Sequence, residues 1–338
     1  MKRLLCALLL LLAASAQAQT KLVFGTNWYA QAEHGGFYQA LAEGIYKKHG
    51  LEVEIRMGGP QVNVLQLLLA GQMDVVMGDD LQTLKAVENG LPLVTIGTTF
   101  QRDPVSLIAH PGVSKLEDLK TRTIFVGQAS ESTYWPWLKA RYGFSDAQKK
   151  RYQFSVQPFL VDRNSATQGY VTSEPFTIEK GGVKPVVFLL GNAGYPPYGQ
   201  TLVATRNGVA KNADALRRFL QASAEGWKSY LANPAPGNAL ILKDNPQIAR
   251  DLLAFSVAKL KEYELVTGGD AKSRGILTIN AARWQQTRDF MVEAKLLKPE
   301  LDHTQAFTTQ LIDQVKVLPC SSRCGSFVPR GADALPAR

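Results

Sequence analysis

The amino-terminal hundred residues alternate between short apolar runs and longer stretches with helical spacing. Four runs have the length and composition of strands, and the second alternates strictly between apolar and polar positions. The predicted strands are 22–25, 51–56, 74–78 and 93–96, and the predicted helices are 36–49, 62–69 and 81–88. This β-α-β-α-β-α-β order predicts a mostly parallel sheet with right-handed crossover connections, flanked by helices.

An extended segment then leads into a second unit with the same alternation. Further strands are predicted at 105–109, 123–126, 154–156, 169–170 and 185–190, and the segment 201–205 returns to the first unit. Helical spacing follows, most clearly at 213–231, 248–260 and 281–294. We therefore expect an α/β protein of two lobes, with 19–104 and 205–318 forming lobe 1, 105–204 forming lobe 2 and 319–338 forming a loose tail.

Residues 1–18 have the pattern of a cleavable signal peptide. A basic pair, Lys2 and Arg3, precedes an apolar run that ends at Ala14, and Ala16-Gln17-Ala18 is a small-x-small cleavage site. The run is shorter than the roughly 20 residues that span a bilayer. We expect an exported periplasmic protein that begins near Gln19.

Composition and charge fit an ordered globular protein. The chain of 338 residues is 45% hydrophobic and 20% charged, and its net charge is +9. Removal of the two signal-peptide cations leaves +7, without a basic run or a nucleic-acid-binding motif. Of the 3 cysteines, Cys320 and Cys324 form a plausible disulfide in an oxidising compartment. The sequence gives no metal-ligand spacing, and we expect no metal or cofactor.

The loop 26–38 after the first strand carries several groups suited to a small-molecule site. Ligands of open α/β sheets bind at the carboxyl ends of strands, where this loop lies. We expect one of Trp28 and Tyr29 to pack in the core and the other, with Trp28 favoured, to stack on a flat ring. His34 is expected either to bind a polar ring substituent or to cap the following helix. Gly36 would let that helix approach a ligand closely.

Two further strand ends carry polar candidates. Asp79 and Asp80 would either pair with a ligand amine or cap the next helix, and capping is the safer interpretation for at least one of them. In the second lobe, Ser130 is a candidate N-cap, and Ser130, Thr133 and Trp135 open a helix whose N–H groups and hydroxyls suit an anionic group. The alternative is ordinary capping, with Trp135 in the core.

Several segments, in their order along the chain, resemble a known superfamily. They are the loop 26–38 and the segments 44–54, 71–76, 116–119 and 169–176. They resemble the type II periplasmic binding proteins grouped with thiamine-pyrimidine synthases, which include nitrate, sulfonate and taurine binders. The resemblance covers roughly residues 21–300. It implies a bilobed protein with hinges near 103–108 and 199–204, whose lobes close on a ligand. It also places Glu174 in the cleft, where it would pair with a ligand amine.

The resemblance implies a monomeric solute-binding protein that delivers its ligand to an ABC-transporter permease. The segment around Trp28 and Glu174 points towards binders of pyrimidine and thiamine-precursor heteroaromatics. The alternatives are a binder of a small anion, such as nitrate, taurine or an alkylsulfonate, and an enzyme like the pyrimidine synthases. The synthases have a cysteine-rich central motif, whereas the cysteines here lie near the two ends of the chain. We therefore expect no enzymatic activity.

Overall fold

The computed structural model of the chain describes residues 19–320. The predicted signal peptide, residues 1–18, lies outside the described residues, and so does Cys324 of the predicted disulfide. None of the helices within the described range is both long enough and apolar enough to cross a membrane.

Ten strands within residues 19–320 form two five-stranded sheets. In chain order they are β1 Thr20–Gly25, β2 Leu51–Arg56, β3 Val75–Gly78, β4 Leu93–Phe100, β5 Val105–Ala109, β6 Thr123–Val126, β7 Lys149–Arg151, β8 Ser165–Tyr170, β9 Val186–Leu189 and β10 Gly199–Thr205. The first sheet has the order β2-β1-β3-β10-β4, and the second has the order β7-β6-β8-β5-β9.

Each sheet has one strand that runs against the other four. In the first sheet β10 is antiparallel to both β3 and β4, and in the second sheet β5 is antiparallel to both β8 and β9. Each reversed strand is the one that the chain forms on arriving from the other sheet. The expected two-lobed α/β fold with mostly parallel sheets is therefore confirmed, with one crossing strand inserted in each sheet. The returning strand begins at Gly199, within the second crossing expected near 199–204.

Helices cover the sheets and make up most of the chain after β10. They are α1 Gly35–Ala42, α2 Ile45–Lys48, α3 Val64–Leu69, α4 Asp80–Glu88, α5 Tyr134–Tyr142, α6 Gln157–Val161, α7 Glu174–Lys180, α8 Arg206–Ala232, α9 Ala235–Asp244, α10 Arg250–Glu262, α11 Ala271–Arg274 and α12 Ala281–Glu293. Side-chain oxygens cap several of them, as Asn280 does for α12 by accepting the N–H of Arg283 at 2.7 Å. The predicted helix 36–49 is divided at Gly44, which has φ +66.

Two local predictions are wrong. The segment 154–156 is a turn and not a strand, because Phe154 has φ +56 and cannot continue a pleated strand. The strand of that region is β7, which ends at Arg151. Ser130 does not cap α5, because it lies in a preceding 3-10 turn, Gln128–Ser132.

The core of the first lobe forms where α1 packs on α8. Phe24 and Phe37 lie with ring centroids 4.5 Å apart, and Phe219 of α8 lies 5.4 Å from Phe24. All three side chains are fully buried. This packing fixes the amino-terminal end of α1, and with it the loop after β1.

Candidate ligand-binding cleft

The chain passes between the two sheets twice, and both passages border a cleft. The first runs from the end of β4 at Phe100 to the start of β5 at Val105, and the second runs from β9 to β10. The loops after β1 and β3 on one side, and after β6 and β8 on the other, follow the carboxyl ends of strands. They are the loops that the sequence analysis selected.

The two lobes touch each other along this cleft. The hydroxyl of Thr172, after β8, donates to the carboxylate of Glu33 in the loop after β1. The hydroxyl of Ser256 in α10 donates to the carbonyl oxygen of Thr172 at 2.7 Å. The ring of Trp28 lies 5.4 Å from the ring of Phe154 in the second lobe. These contacts hold the lobes together at the edges of the cleft.

The buried phenol of Tyr170, at the end of β8, lies within electrostatic range of four carboxylates. Burial raises the pKa of Tyr170 well above its ordinary value, and the negative charges of Asp103, Asp79, Glu33 and Glu174 raise it further. Two of these acids come from the loops after β1 and β3, one from the first crossing and one from α7. The fold therefore gathers acidic groups from both lobes at one point.

The cleft raises the pKa of several of these acids. Burial raises the pKa of Asp103 to about 7, with an added contribution from Asp79, while Arg283 opposes the rise. Burial likewise raises the pKa of Asp79 to about 6, although its carboxylate accepts the N–H of Gln82 at 2.7 Å. Burial also raises the pKa of Glu33. A ligand that donates hydrogen bonds or carries positive charge would favour the ionised forms of these acids.

Basic side chains do not neutralise this cluster directly. Among residues 19–320, no lysine or arginine forms an ion pair with any of the four carboxylates. The guanidinium of Arg283 donates to the carbonyl oxygen of Pro197 at 3.1 Å and also to that of Pro196. It lies 4.5 Å from the ring centroid of Tyr198. Arg283 is thus bound to the second crossing and acts on the acids from a distance.

The two aspartates after β3 have different surroundings. Asp79 lines an open pocket of about 680 Å³ in the first lobe, together with Asn27 and residues of α3 and α4. The fully buried Asp80 accepts the backbone N–H of Tyr198 at 2.9 Å and the hydroxyl of Thr287 at 3.3 Å. Asp79 caps α4, as expected for one of the pair. Asp80 connects α4 to the second crossing.

His34 is a buried neutral imidazole. Its Nε2 lies 3.2 Å from Oδ1 of Asn27, and because an amide oxygen can only accept, Nε2 carries the proton. Nδ1 is buried and has no hydrogen-bond partner within the described part of the chain. Burial lowers the pKa of His34 to about 3. The side chain makes no cap bond to α1, so His34 does not act as a capping side chain.

Neither Trp28 nor Tyr29 is buried, so the expectation that one of them packs in the core is wrong. Trp28 is half-buried, and 44% of Tyr29 is exposed. Their ring centroids are 5.6 Å apart in an edge-to-face arrangement. The hydroxyl of Thr26 donates to the carbonyl oxygen of Trp28 at 2.8 Å and fixes the backbone of the loop.

The segment around Ser130 is organised by one amide on β8. Oε1 of Gln168 accepts the hydroxyls of Ser130 at 3.0 Å and Tyr134 at 2.8 Å. Half-buried Thr133 lies between the 3-10 turn and α5. Trp135 is buried in the core, where its indole N–H donates to Asp146 at 2.7 Å. The structure thus gives Trp135 the core position that the sequence left as an alternative.

Glu174 lies at the start of α7, as expected, but its carboxylate is already bound within its own lobe. It accepts the N–H of Tyr170 at 2.8 Å, the hydroxyl of Tyr152 at 3.2 Å and the hydroxyl of Ser173. A carboxylate offers about four acceptor positions. Glu174 therefore retains little capacity for a ligand amine, and it binds one phenol, that of Tyr152, and the backbone N–H of Tyr170.

Gly36 packs against α8. A Cβ at Gly36 would lie 2.2 Å from the ring of Trp227, and one at Gly35 would lie 2.1 Å from the ring of Tyr230. The absence of side chains at these two positions allows α1 and α8 to pack closely.

Sequence analysis missed Glu33, Asp103 and Tyr170. All three lie in segments that it singled out, namely the first loop, the first crossing and the strand end before Glu174. Their positions, after a strand end or within a crossing between the lobes, could have identified them as candidate site residues. Separately, the described residues contain no group of three His, Cys, Asp or Glu side chains that could hold a metal ion.

Two sheets joined by two crossings, with a cleft between them, define a periplasmic-binding-protein fold. The periplasmic aliphatic sulphonate binding protein SsuA of Escherichia coli has this fold, with a TM-score of 0.67 and 17% identity over 93% of this chain and 98% of that chain. The model of the NMT1/THI5-like family matches residues 31–236, and the chain belongs to this family.

Curated relatives cover much of the chain. The chain is 25% identical over 303 residues to the riboflavin-binding protein RibY of Chloroflexus aurantiacus, a match that covers 86% of each. It is 23% identical over 219 residues to the formylaminopyrimidine-binding protein of Halalkalibacterium halodurans, which covers 62% of this chain and 66% of that protein. A shorter match, 30% identical over 101 residues and 30% of each chain, is to 4-amino-5-hydroxymethyl-2-methylpyrimidine phosphate synthase of Aspergillus parasiticus.

Proposed function

We propose that the protein is a periplasmic solute-binding protein for a nitrogen heteroaromatic compound, which it holds between its lobes and delivers to an ABC importer in the inner membrane. The observation that carries the ligand class is the acidic cluster around Tyr170, which lacks a direct basic partner among residues 19–320. A ring with amine or ring N–H donors supplies what these acceptors need. The ligands in the names of two relatives, riboflavin and formylaminopyrimidine, support the same class.

Each part of the cleft has a role in this proposal. Trp28 stacks on the ring, because its half-buried indole lies at the edge of the cleft and its loop is fixed. Asp79 and Asp103 accept hydrogen bonds from ring substituents and ionise as they do so. Tyr170 and its neighbouring carboxylates select against ligands without donors.

A small anion fits this cleft poorly. Two like charges 4 Å apart repel by about 4 kcal/mol at an effective dielectric constant of about 20. An alkylsulfonate, taurine or nitrate would meet several acidic groups, of which none forms an ion pair with an arginine or lysine among residues 19–320, and Arg283 offsets them only from a distance. The fold shared with SsuA carries no information about the ligand at 17% identity.

The proposal is tested by thermal unfolding of the mature protein against riboflavin, aminopyrimidines, nitrate, taurine and an alkylsulfonate. A ligand present at 100 times its Kd stabilises the native state by about 2.7 kcal/mol and raises the midpoint. We expect a ring compound to raise it and the anions to leave it unchanged. An anion that shifts the midpoint when no ring compound does would refute the ligand class.

Site variants then test the roles. Asp79→Asn and Trp28→Ala should each weaken binding of the ring compound, whereas Glu300→Gln, at an exposed acid outside the cluster, should not. Ligand recovered unchanged after prolonged incubation, as measured by mass spectrometry, would support binding without turnover. A converted ligand would instead favour an enzyme like the pyrimidine phosphate synthases.

A further inference from the structure

Phe154 occupies an unusual position at the mouth of the cleft. Its side chain is 69% exposed, although it is a large aromatic residue. Its φ of +56 lies in the left-handed region, which bulky side chains rarely adopt. Strained backbone conformations of this kind persist mainly at ligand-binding and switching positions.

The ring of Phe154 lies on Trp28 of the opposite lobe. The two ring centroids are 5.4 Å apart and the planes are inclined by 35°. A flat ligand between two aromatic rings needs a gap of about 7 Å, since each contact takes about 3.5 Å. The gap is therefore too small, and a ligand can stack on this face of Trp28 only after one of the two rings moves.

Phe154 is the ring that is free to move. Trp28 belongs to a loop tied by Thr26, whose hydroxyl donates to the Trp28 carbonyl and accepts the N–H of Gly58 at 3.1 Å. By contrast, the backbone groups of residues 153–155 form no hydrogen bonds with the described part of the chain. Leaving the left-handed conformation would also relieve backbone strain.

A pocket beside Phe154 gives its ring space to turn. The pocket has a volume of about 240 Å³, and its polar lining comes from α7 and the turn before α6. The lining residues are Tyr152, Phe154, Ser155, Val156, Gln157, Ser173, Glu174 and Thr177. Tyr152, whose ring centroid lies 5.7 Å from that of Phe154, also lines the pocket and donates its hydroxyl to Glu174 at 3.2 Å.

We propose that Phe154 is an intramolecular plug, which covers the stacking face of Trp28 in the empty protein and leaves it when the ligand ring binds there. This inference rests on the proposed function, because it takes Trp28 as the stacking surface for a heteroaromatic ring. Only molecules in which Phe154 has left Trp28 can bind the ligand ring. The apparent affinity is therefore the intrinsic affinity multiplied by the fraction of molecules in that state. The plug also gives ring compounds, which can replace Phe154 on Trp28, an advantage over ligands that cannot stack.

Tryptophan fluorescence can detect the plug without any ligand. The other four tryptophans, Trp135, Trp137, Trp227 and Trp284, are at most 6% exposed, so acrylamide quenching reports mainly on Trp28. Phe154→Ala and Phe154→Gly should both increase quenching in the empty protein. Glycine adopts the left-handed backbone conformation without strain, whereas alanine does not. An equal increase in quenching in both variants therefore assigns the effect to loss of the ring and not to a change in the backbone. Val161→Ala, which removes an 83% exposed apolar side chain of the same lobe, should leave quenching unchanged.

Affinity for riboflavin and for an aminopyrimidine, measured by calorimetry, completes the test. Both Phe154 variants should bind the recognised ring compound about 3- to 10-fold more tightly than the wild type. Unchanged affinity or unchanged quenching would overturn the plug, and weaker binding would show that Phe154 contacts the ligand instead. If the wild type and both variants bind no ring compound, the proposed function fails and the plug fails with it. If the wild type and both variants bind the ring compound with equal affinity, only the plug is overturned.

Discussion

Replacing Asp80 with asparagine should change how the stability of the protein depends on pH. The carboxyl group is fully buried beneath the second crossing. Its Oδ2 accepts the N–H of Tyr198 and the hydroxyl of Thr287, while Oδ1 has no hydrogen-bond partner among the described residues. Burial raises the pKa of Asp80 to about 8, and the charge of Asp79 contributes to the rise. The group is therefore mainly neutral at pH 7 in the native state.

The size of the effect follows from the two pKa values of Asp80. A carboxyl whose pKa is raised by folding stabilises the native state fully below the unfolded pKa, and this contribution is lost as pH rises through the native pKa. For Asp80 this window extends from 3.8 to about 8. Each pH unit corresponds to about 1.4 kcal/mol, so about 4 kcal/mol is lost between pH 5 and pH 8. Asparagine cannot ionise but can still accept the N–H of Tyr198.

The measurement is urea unfolding of wild type, Asp80→Asn and the exposed control Glu300→Gln at each pH unit from 5 to 8. As pH rises, the free energy of unfolding of the wild type should fall relative to that of Asp80→Asn, by up to about 4 kcal/mol over this range. The control should follow the wild type. Parallel pH profiles for Asp80→Asn and the wild type would refute the assignment of a raised pKa to this buried group.

Three further predictions concern the cleft and the packing beneath it. Because the pKa values of Asp79 and Asp103 are about 6 and about 7, an amine-bearing ring should bind more tightly at pH 8 than at pH 5 and should release protons on binding. Calorimetry in two buffers of different ionisation enthalpy measures both effects. An affinity that is constant over this range would exclude both acids from ligand binding. Thr172→Val removes the hydroxyl that donates to Glu33 and should lower the free energy of unfolding by about 1–3 kcal/mol, and no loss would show that this contact is dispensable. Gly36→Ala places a Cβ 2.2 Å from the ring of Trp227 in α8 and should lower the free energy of unfolding by about 1–3 kcal/mol. An unchanged midpoint of thermal unfolding would mean that α1 and α8 can move apart without cost.

Most of the fold could be predicted from the sequence because each strand is marked by the hydrophobic pattern of its own few residues. The strict alternation of 51–56 and the apolar runs that became β3, β4, β5 and β6 gave element type and order directly. The error at Phe154 has a different origin. Its backbone adopts a left-handed conformation and its ring contacts the other lobe, and local alternation contains no information about either.

The candidate site was located by loop position but not by side-chain role. Strand ends identified the correct loops, whereas the role of each residue depends on partners distant in sequence. Gly36 is required by Trp227 of α8, and Glu174 is occupied by Tyr152 and Tyr170. Asp80 is held by a backbone N–H of the second crossing. These pairings join residues far apart in the sequence and arise only when the chain is folded.

The raised pKa values in the cleft connect stability to ligand choice. Burial deprives Asp79 and Asp103 of favourable solvation, which favours their protonated forms. A ligand with N–H donors compensates that loss and lets both acids ionise, whereas an anion makes ionisation still less favourable. The stabilisation that such a ligand gives should therefore increase as pH rises, in the same range in which the empty protein becomes less stable. Under the proposed function, selectivity for donor-bearing rings would therefore arise from the burial of these acids.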